Sequence, residues 1–300
     1  MTWTFSTDLA AYLTAARPAL AARPVVNTSL LTVTDSLERR GLHAHGTADP
    51  VFGWWTGADG TVTGALLRTP PYPVLLGALP PEAVRALGPE LTADPLLSGI
   101  SGINARRTDA LTLAAAWGRP TRIVEELRLY RLGTLTAPER APAGRPRRAA
   151  EADLPLLLEW TREFNRETEQ PGRASEAALR ERLSYGGALL WEHDGGPVSL
   201  AAFSRPIAGA SRVGPVYTPP AARGRGYAAG ITHAATGAAH AAGAREVLLF
   251  TDLANPTSNG IYQRLGYTPV EDRVHLEALT APSRRHRYPF PVGGLRLPAR

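Results

Sequence analysis

Hydrophobic residues alternate with polar ones in two separate regions of the chain, and each region predicts a β-hairpin. In both regions the alternating segments flank an Asp-Gly step, which supplies the positive φ that tight hairpins need. A further strand is predicted after each hairpin, at residues 74–79 in the first region and 212–217 in the second. The predicted hairpin strands are residues 51–56, 61–68, 188–193 and 198–204.

The two regions are related by a constant offset of 137 residues. Such self-similarity indicates one fold that is used twice. The pairs that align at this offset are Trp54 with Trp191, Arg68 with Arg205, and Gly77 with Gly214.

The segment between the two regions has the composition of a linker. Residues 134–147 are rich in proline and arginine and show no apolar periodicity. We therefore expect two domains, residues 1–133 and 148–280. Residues 281–300 are rich in arginine and proline, and we expect them to form a C-terminal tail.

Helix signals surround the strands of the second half. A helix is predicted after Asp153, a suitable N-cap, because leucines recur at helical spacing behind it. An alanine-rich helix covers residues 227–242 and ends at Gly243, and a third helix has Asn255 as its N-cap and ends at Gly266. The remaining strands are predicted at residues 246–251, 267–270 and 273–279.

The two halves diverge after a Pro-Pro pair. The first half continues from Pro80-Pro81 into an ordinary helix start with proline near the N1 position. The second half continues from Pro219-Pro220 into a glycine loop, residues 221–228. This difference predicts that only the second half has a loop suited to phosphate binding.

The glycine loop lies between a predicted strand and a predicted helix. Without Cβ atoms at Gly224 and Gly226 the backbone can come close to a ligand, and the free N–H groups of the first helical turn face an anion. Arg223 and Arg225 add fixed positive charge. A pyrophosphate group would fit this place.

Two other phosphate-binding motifs fit less well. Gly224, Gly226 and Ala229 satisfy G-x-G-x-x-G/A, but that dinucleotide pattern follows the first strand of its unit and precedes an acidic residue by about 20 positions. Neither condition holds here. The P-loop of nucleoside triphosphatases requires a lysine, and the chain contains none.

The loop and a second motif resemble the GNAT (GCN5-related) N-acetyltransferase family. Residues 223–228 match the family's Arg/Gln-x-x-Gly-x-Gly/Ala loop, and residues 214–220 resemble its fourth strand. Residues 255–267 are similar to its second signature, an Asn followed seven residues later by Tyr and then by Gly-Tyr/Phe. The strong match covers roughly residues 147–279, and both signatures are missing from the first half.

The resemblance implies an α/β (α+β) fold of two tandem GNAT-like domains, the first of them degenerate. Each domain would be a mixed, mostly antiparallel sheet flanked by helices. It also implies acetyl-CoA as cosubstrate, with its pyrophosphate on the glycine loop and its pantetheine arm along the edge of the fourth strand.

The resemblance assigns roles to single residues. Tyr262 occupies the family's general-acid position, and Asn255 occupies the position that helps to hold the cofactor arm and the helix start. Backbone N–H groups near Val216 and Tyr217 would stabilise the oxyanion. The cofactor-binding residues implied are Val216, Tyr217, Thr218, Arg223, Gly224, Arg225, Gly226, Tyr227, Ala228, Asn255 and Tyr262.

Several carboxylates remain candidates for the general base. The fourth strand itself contains no acid. Asp252 ends the next strand, Glu192 lies in the hairpin, and Glu163, Glu167 and Glu169 lie in the first helix of this half and the loop after it. Asp252 and Glu163 are the first to test.

Composition limits the other classes of protein. The chain of 300 residues is 44% hydrophobic and 20% charged and has no cysteine, which excludes disulfides, thiolate metal sites and a cysteine nucleophile. Its net charge is +6, but the arginines are mixed with acids along both halves, so we expect no nucleic-acid partner. No run of about twenty apolar residues and no signal-peptide pattern occurs, so we expect a cytoplasmic protein without a membrane partner.

Histidines do not predict a metal site. His43 and His45 alternate along a possible strand, and His233 and His240 lie two helical turns apart. Neither pair has a third ligand at close spacing, so we expect no metal.

These patterns predict an acyltransferase, specifically an acetyl-CoA-dependent N-acetyltransferase. It would transfer the acetyl group to a small-molecule amine or aminoacyl acceptor by direct attack. The alternative is a non-catalytic acyl-CoA-binding or regulatory protein with the same fold and the same cofactor residues. In either case the first half would shape the acceptor site or form a homodimer.

Overall fold

The computed structural model describes residues 1–168 and 175–279. The predicted tail at residues 281–300 and the candidate base Glu169 lie outside these ranges. Within them, no helix is both long and apolar enough to cross a membrane.

The described residues form twelve strands and eight α-helices. The strands are β1 (Thr2–Ser6), β2 (Val51–Thr56), β3 (Val62–Arg68), β4 (Val74–Leu76), β5 (Gly102–Arg106), β6 (Thr121–Leu132), β7 (Arg145–Arg148), β8 (Ala188–His193), β9 (Gly196–Phe203), β10 (Ala210–Tyr217), β11 (Glu246–Asp252) and β12 (Tyr267–Ala278). The helices are α1 (Leu9–Ala22), α2 (Thr28–Arg40), α3 (Pro81–Ala93), α4 (Arg107–Ala116), α5 (Leu154–Glu167), α6 (Glu176–Ser184), α7 (Tyr227–Ala241) and α8 (Pro256–Arg264).

All twelve strands belong to one sheet, in the order β1-β2-β3-β4-β5-β12-β6-β11-β10-β9-β8-β7. Within it β4 runs parallel to β5 and β10 runs parallel to β11, and the other neighbouring strands are antiparallel. The structure therefore confirms a mixed, mostly antiparallel sheet in an α/β chain.

The last strand of each half pairs with a strand of the other half. The strand β12 pairs with β5, from Arg273 opposite Arg106 to Glu277 opposite Gly102. The strand β6 pairs with β11, from Leu248 opposite Arg131 to Asp252 opposite Leu127. The order β1 to β5 followed by β12 thus matches the order β7 to β11 followed by β6, with the final strands exchanged.

Helices cover both faces of the sheet in each half, so consecutive residues are buried in strands such as β3, β8 and β9. In the first half, α1 and α2 pack on one face and α3 and α4 on the other. In the second half, α5 and α6 pack on one face and α7 and α8 on the other. The two halves therefore have the same layers around the same strand order.

Three predicted elements differ from the observed ones. The two last strands are one strand, β12, which is irregular between Pro269 and Glu271 because proline has no N–H to donate. Residues 145–148 of the predicted linker form β7, which pairs with β8. His43 and His45 do not lie in a strand.

Asp153 precedes the helix as predicted, but the prediction that its side chain caps the helix is wrong. The helix α5 does begin at Leu154, but the Asp153 side chain makes no capping hydrogen bond to it. Its carboxylate instead accepts a hydrogen bond from Ala150 N–H at 2.8 Å and pairs with Arg147 at 2.6 Å. This arginine holds the pKa of Asp153 below its usual range.

Candidate functional site

A cleft opens where β10 separates from β11. The two strands are paired only from Ala210 to Arg212, and β10 is irregular between Val213 and Val216 on its other side. Beyond Arg212 the edge of β10 that faces β11 is therefore open. The cleft at this opening has a volume of about 1630 Å³.

The predicted cofactor residues lie together in this cleft, apart from Arg225. Its lining includes the open end of β10, the glycine loop, the first turn of α7 and the start of α8. The predicted residues in the lining are Val216, Tyr217, Thr218, Arg223, Gly224, Gly226, Tyr227, Ala228, Asn255 and Tyr262.

The backbone of the glycine loop is shaped for a close approach. Gly224 has φ +77° and Gly226 has φ +81°, a region that is strained for residues with side chains. A Cβ at Gly224 would meet nothing within 4 Å, so that glycine serves the backbone conformation rather than close packing. Gly230 N–H donates to the Gly226 carbonyl at 3.1 Å, which leaves the N–H groups of residues 227–229 without an acceptor inside the helix. An anion can bind at this turn.

The two arginines of the loop differ in their environment. Arg225 is exposed. The guanidinium of Arg223 pairs with Glu167 of α5 at 2.5 Å, and its Nε donates to the Thr218 carbonyl at 2.8 Å. Part of the charge of Arg223 is therefore compensated, and the backbone N–H groups and Arg225 are the donors left for an anion.

Glu167 also connects the loop to the side chain of Tyr217. The Tyr217 hydroxyl lies 2.8 Å from Glu163 Oε2 and 3.2 Å from Glu167 Oε1, so its single proton is shared between the two carboxylates, with the shorter hydrogen bond to Glu163. Burial, together with the two negative charges, raises the pKa of Tyr217 above its usual range. The end of α5 is thus hydrogen-bonded to both β10 and the glycine loop.

Asn255 is the N-cap of α8, and Tyr262 lies two turns further along the same helix. Tyr262 is 9% exposed, and burial raises the pKa of its phenol to about 12, opposed by a hydrogen bond from Ser258. Its ring packs edge-on against Tyr267, with 6.2 Å between the ring centroids. Asn255 Oδ1 accepts from Ser258 N–H at 3.0 Å, so the predicted N-cap is present. Tyr262 is therefore a protonated hydroxyl on the wall of the cleft.

The candidate bases differ in whether they line the cleft. Asp252 and Glu167 line the cleft, whereas Glu163 lies behind Tyr217. Asp252 Oδ1 accepts from Ala254 N–H at 2.8 Å. Glu192 pairs with Arg147 at 2.6 Å and does not line the cleft, so the structure removes it from the candidates.

The far wall of the cleft was missed by the sequence patterns. The strand β6 extends past the last pair of β11, Asp252 with Leu127, and its residues 122–126 line the cleft beyond that point. The signal available in the sequence was an apolar pair, Ile123 and Val124, followed by Glu125 and Glu126. The lining residues missed on this wall are Arg122, Ile123, Val124, Glu125, Glu126, Leu127, His275 and Glu277.

The corresponding place in the first half, at the end of β4, is filled by the protein's own side chains. The Leu76 carbonyl accepts from the guanidinium of Arg273 at 2.7 Å. Ala78 N–H donates to Asn27 Oδ1 at 2.8 Å, and the Ala78 carbonyl accepts from Arg23 at 3.1 Å. Because these backbone groups already have partners, the first half offers no second open strand edge at this position.

Replacing Arg273 by Leu is expected to lower the free energy of unfolding by about 3–5 kcal/mol, because it breaks a buried pair and leaves one partner behind. Arg273 is 4% exposed, and it pairs with Glu271 at 3.0 Å in addition to the Leu76 carbonyl. Urea unfolding measures the loss. The control is Arg122→Leu, which removes an exposed pair with Glu277 and should cost less than about 1 kcal/mol. Equal losses in the two variants would contradict the assignment.

Among the described residues, no group of three or more His, Cys, Asp or Glu side chains could hold a metal ion. The expectation that the protein binds no metal stays a prediction.

A family model matches the second half of the chain. Residues 154–267 match the Acetyltransferase (GNAT) family, a range that contains both the glycine loop and the first turns of α8. A search of curated proteins finds no significant match.

Solved structures match nearly the whole chain. An acetyltransferase from the GNAT family of Colwellia psychrerythraea has a TM-score of 0.62 at 11% identity, covering 93% of this chain and 100% of its own. A GCN5-related N-acetyltransferase of Sphaerobacter thermophilus has a TM-score of 0.59 at 19% identity, covering 92% of this chain and 95% of its own. A tandem GNAT protein from the clavulanic acid biosynthesis pathway has a TM-score of 0.53 at 13% identity, covering 94% of this chain and 100% of its own.

At these identities the solved structures show the fold, and the family model adds the relationship of the second half. The predicted resemblance is confirmed on both counts. Residues 154–267 match the GNAT acetyltransferase family, in a chain that has the fold of a tandem GNAT protein.

Proposed function

We propose that the protein is an acetyl-CoA-dependent N-acetyltransferase that acetylates a primary amine by direct attack of the amine on the thioester. Membership of the second half in the GNAT family supports acetyl-CoA-dependent acetyl transfer in general. The observation that carries the proposal is the continuity of the cleft. An anion-binding turn at the start of α7, an open strand edge on β10 and a buried phenol on α8 all line the same space.

The residues of the cleft fit the chemical parts of acetyl-CoA. The backbone N–H groups of residues 227–229, with Arg225 nearby, would hold the diphosphate. Val216 on the open edge of β10 and Thr218 just after the strand present backbone groups that suit the amides of the pantetheine arm, and the Thr218 carbonyl also accepts from Arg223. Acetyl-CoA would supply the activated acetyl group, and the protein would position it and move protons.

Tyr262 would act as the general acid. Because burial raises the pKa of its phenol to about 12, the hydroxyl keeps its proton at neutral pH and can donate it to a departing thiolate. No cysteine is needed, since the amine attacks without a covalent enzyme intermediate, and the sequence has no cysteine.

Asp252 would act as the general base. It lines the cleft at the end of β11, and one of its two carboxylate oxygens is used in the turn to Ala254. Its other oxygen can accept a proton from the acceptor ammonium. Glu167 also lines the cleft but already pairs with Arg223, and Glu163 accepts from Tyr217, so both are committed to positioning.

Replacing Asp252 by Asn is expected to lower kcat/KM by about 100-fold at neutral pH, the range typical for a lost general base. The loss should shrink as the pH rises towards the pKa of the acceptor amine, because a neutral amine needs no base. The measurement is the pH profile of kcat/KM.

Glu246→Gln is the matched control, because Glu246 lies at the other end of β11 and pairs with Arg131. It should leave the pH profile unchanged. If Asp252→Asn behaves like this control, Glu163→Gln and Glu167→Gln are the next variants, and Asp252 is not the base.

The first half and the exchanged strands would shape the acceptor side of the cleft. Residues of β6 and β12 form the wall opposite the glycine loop, and β12 is held in place by its pairing with β5. The proposed domains, residues 1–133 and 148–280, would be divisions of the sequence that share one sheet.

A screen of amines and aminoacyl compounds, with the release of free thiol from acetyl-CoA as the signal, tests the proposed function. Turnover with at least one acceptor supports the enzyme. Tight binding of acetyl-CoA without turnover across the panel would overturn it in favour of the acyl-CoA-binding regulatory protein.

A further inference from the structure

A cluster of arginine and histidine side chains lies where the two halves of the chain meet, outside the lining of the cleft. We call it the junction cluster. The first half contributes one residue from α2 and one from the segment after it, and the second half contributes residues from α6, β10 and the segment after β9. The cluster consists of Arg40, His45, Arg182, Arg205 and Arg212.

Arg212 is a partly buried cation whose hydrogen-bond and ring partners in the described part of the chain are neutral. Its guanidinium donates to Ser29 Oγ at 3.3 Å and lies 5.8 Å from the ring centroid of Phe250. Burial lowers the pKa of Arg212 to about 10, and the charge of Arg182 lowers it in the same direction. Among the described residues no carboxylate forms an ion pair with it. A charge in this position destabilises the protein unless something compensates it.

One donor of Arg205 forms no hydrogen bond with any described residue. Its Nε is buried and has no hydrogen-bond partner in the described part of the chain. The guanidinium stacks over the ring of Tyr185 at 4.1 Å and donates to Ser184 Oγ at 3.2 Å. The ring therefore fixes the orientation of Arg205, and the carboxylate nearest to Nε among the described ion pairs, that of Glu181, is 3.6 Å away.

One carboxylate lies near two arginines of the cluster, but it is too far from both for a hydrogen bond. Glu181 lies 3.6 Å from Arg205 Nε and 3.9 Å from Arg40 Nε, and both distances are too long for hydrogen bonds. The two acids of α2 form ion pairs with other arginines, because Asp35 pairs with Arg39 and Glu38 pairs with Arg17. Two guanidinium groups, those of Arg40 and Arg205, thus share one carboxylate without a hydrogen bond to it.

His45 adds a second unmatched polar atom. Its Nε2 is buried and has no partner among the described residues. Burial lowers the pKa of His45, and the charge of Arg40 lowers it further, so the ring is neutral at neutral pH. The protonated nitrogen of a neutral imidazole can still donate to an oxyanion.

We propose that the junction cluster binds a small oxyanion, a phosphate or a carboxylate, between the two halves. Guanidinium groups bind such oxygens through paired, charge-assisted hydrogen bonds, which would use the free Nε of Arg205 and offset the charge of Arg212. The side chains of Arg40 and Arg205 are 22% and 32% exposed, so a ligand can reach them from solvent. The bound anion would tie α2 of the first half to α6 and β10 of the second.

The test uses the full chain carrying Gly226→Glu, which closes the glycine loop to phosphate and makes the result independent of acetyl-CoA binding. Calorimetry and thermal unfolding are followed with inorganic phosphate and, separately, with succinate, against sodium chloride at equal ionic strength. We expect at least one of the two anions to bind and to raise the Tm, and which one it is distinguishes phosphate from carboxylate. No effect beyond that of chloride from either anion would overturn the proposal.

Variants locate the effect. In the same background, Arg205→Gln should weaken anion binding at least tenfold. Arg212→Met should raise the Tm in anion-free buffer, since it removes the uncompensated charge, and should lose the gain from the anion. Arg180→Gln is the control, because it makes the same charge change on α6 at a residue that is 52% exposed and paired with Glu176.

The control should keep the full shift. A shift that survives both Arg205→Gln and Arg212→Met, or one that Arg180→Gln removes equally, would place the anion elsewhere and overturn the assignment.

Discussion

Replacing Gly226 by Glu is expected to abolish both the rise in Tm that acetyl-CoA causes and the release of thiol. Gly226 has φ +81°, and a side chain in that left-handed region costs about 1–2 kcal/mol and displaces the loop. The added carboxylate also lies at the positive end of α7, where it repels a diphosphate. Acetyl-CoA at about 100 times its Kd should stabilise the parent by ~2.7 kcal/mol, and the variant should gain nothing.

Gly243→Glu is the matched control for this variant. Gly243 follows the other end of the same helix, has φ +95°, and a Cβ there would meet nothing within 4 Å. The backbone strain and the charge change are therefore comparable, while the glycine loop is untouched. We expect a lower Tm in the absence of ligand and an undiminished shift with acetyl-CoA. If Gly226→Glu still binds acetyl-CoA like the parent, the diphosphate does not lie on this loop.

Replacing Tyr262 by Phe is expected to lower kcat by about 10²–10⁴-fold while the affinity for acetyl-CoA stays close to that of the parent. The phenol of Tyr262 is the proton donor proposed for the thiolate. Its pKa is raised to about 12, so the folded protein holds this proton at any lower pH. The pH profile of the parent should therefore show no loss of rate from ionisation of Tyr262 below about pH 11. Steady-state kinetics with calorimetry of acetyl-CoA binding separates the two effects.

Tyr267→Phe controls for the loss of a buried hydroxyl. Tyr267 packs against Tyr262, is 2% exposed, and its hydroxyl shares a hydrogen bond of 2.7 Å with Thr236. The variant should lose about 1 kcal/mol of stability and keep its kcat. A Tyr262→Phe protein with the kcat of the parent would show that another group protonates the thiolate.

Local patterns predicted the parts of the site that are built from neighbouring residues. The glycine loop, the start of α7 at Tyr227 and the N-cap at Asn255 depend on φ values and on hydrogen bonds that span a few positions, so residue types and spacing are enough to place them. The family signatures lie on the same short segments. The prediction at Asp153 had the same local basis, but its carboxylate binds Arg147 of β7 instead.

The environment of Arg223 shows where this local reasoning ends. The sequence indicated a free cation beside the glycine loop. In the structure that cation is paired with Glu167, which lies on another helix far earlier in the chain. No spacing rule connects the two, because their contact depends on how α5 packs across β10. The same packing brings Glu163 to the hydroxyl of Tyr217.

The amino-acid sequence by itself determined the repeated hairpins, the glycine loop and the relationship of the second half to an acetyltransferase family. Each of these follows from alternation, glycine conformation or short motifs. Only the tertiary structure decided that β6 and β12 change places, that Arg273 satisfies the strand end of the first half, and that Ser29 of the first half meets Arg212 of the second. The physical reason is that strand partners and buried charges are selected by long-range pairing, whose free energy depends on residues that no local pattern brings together.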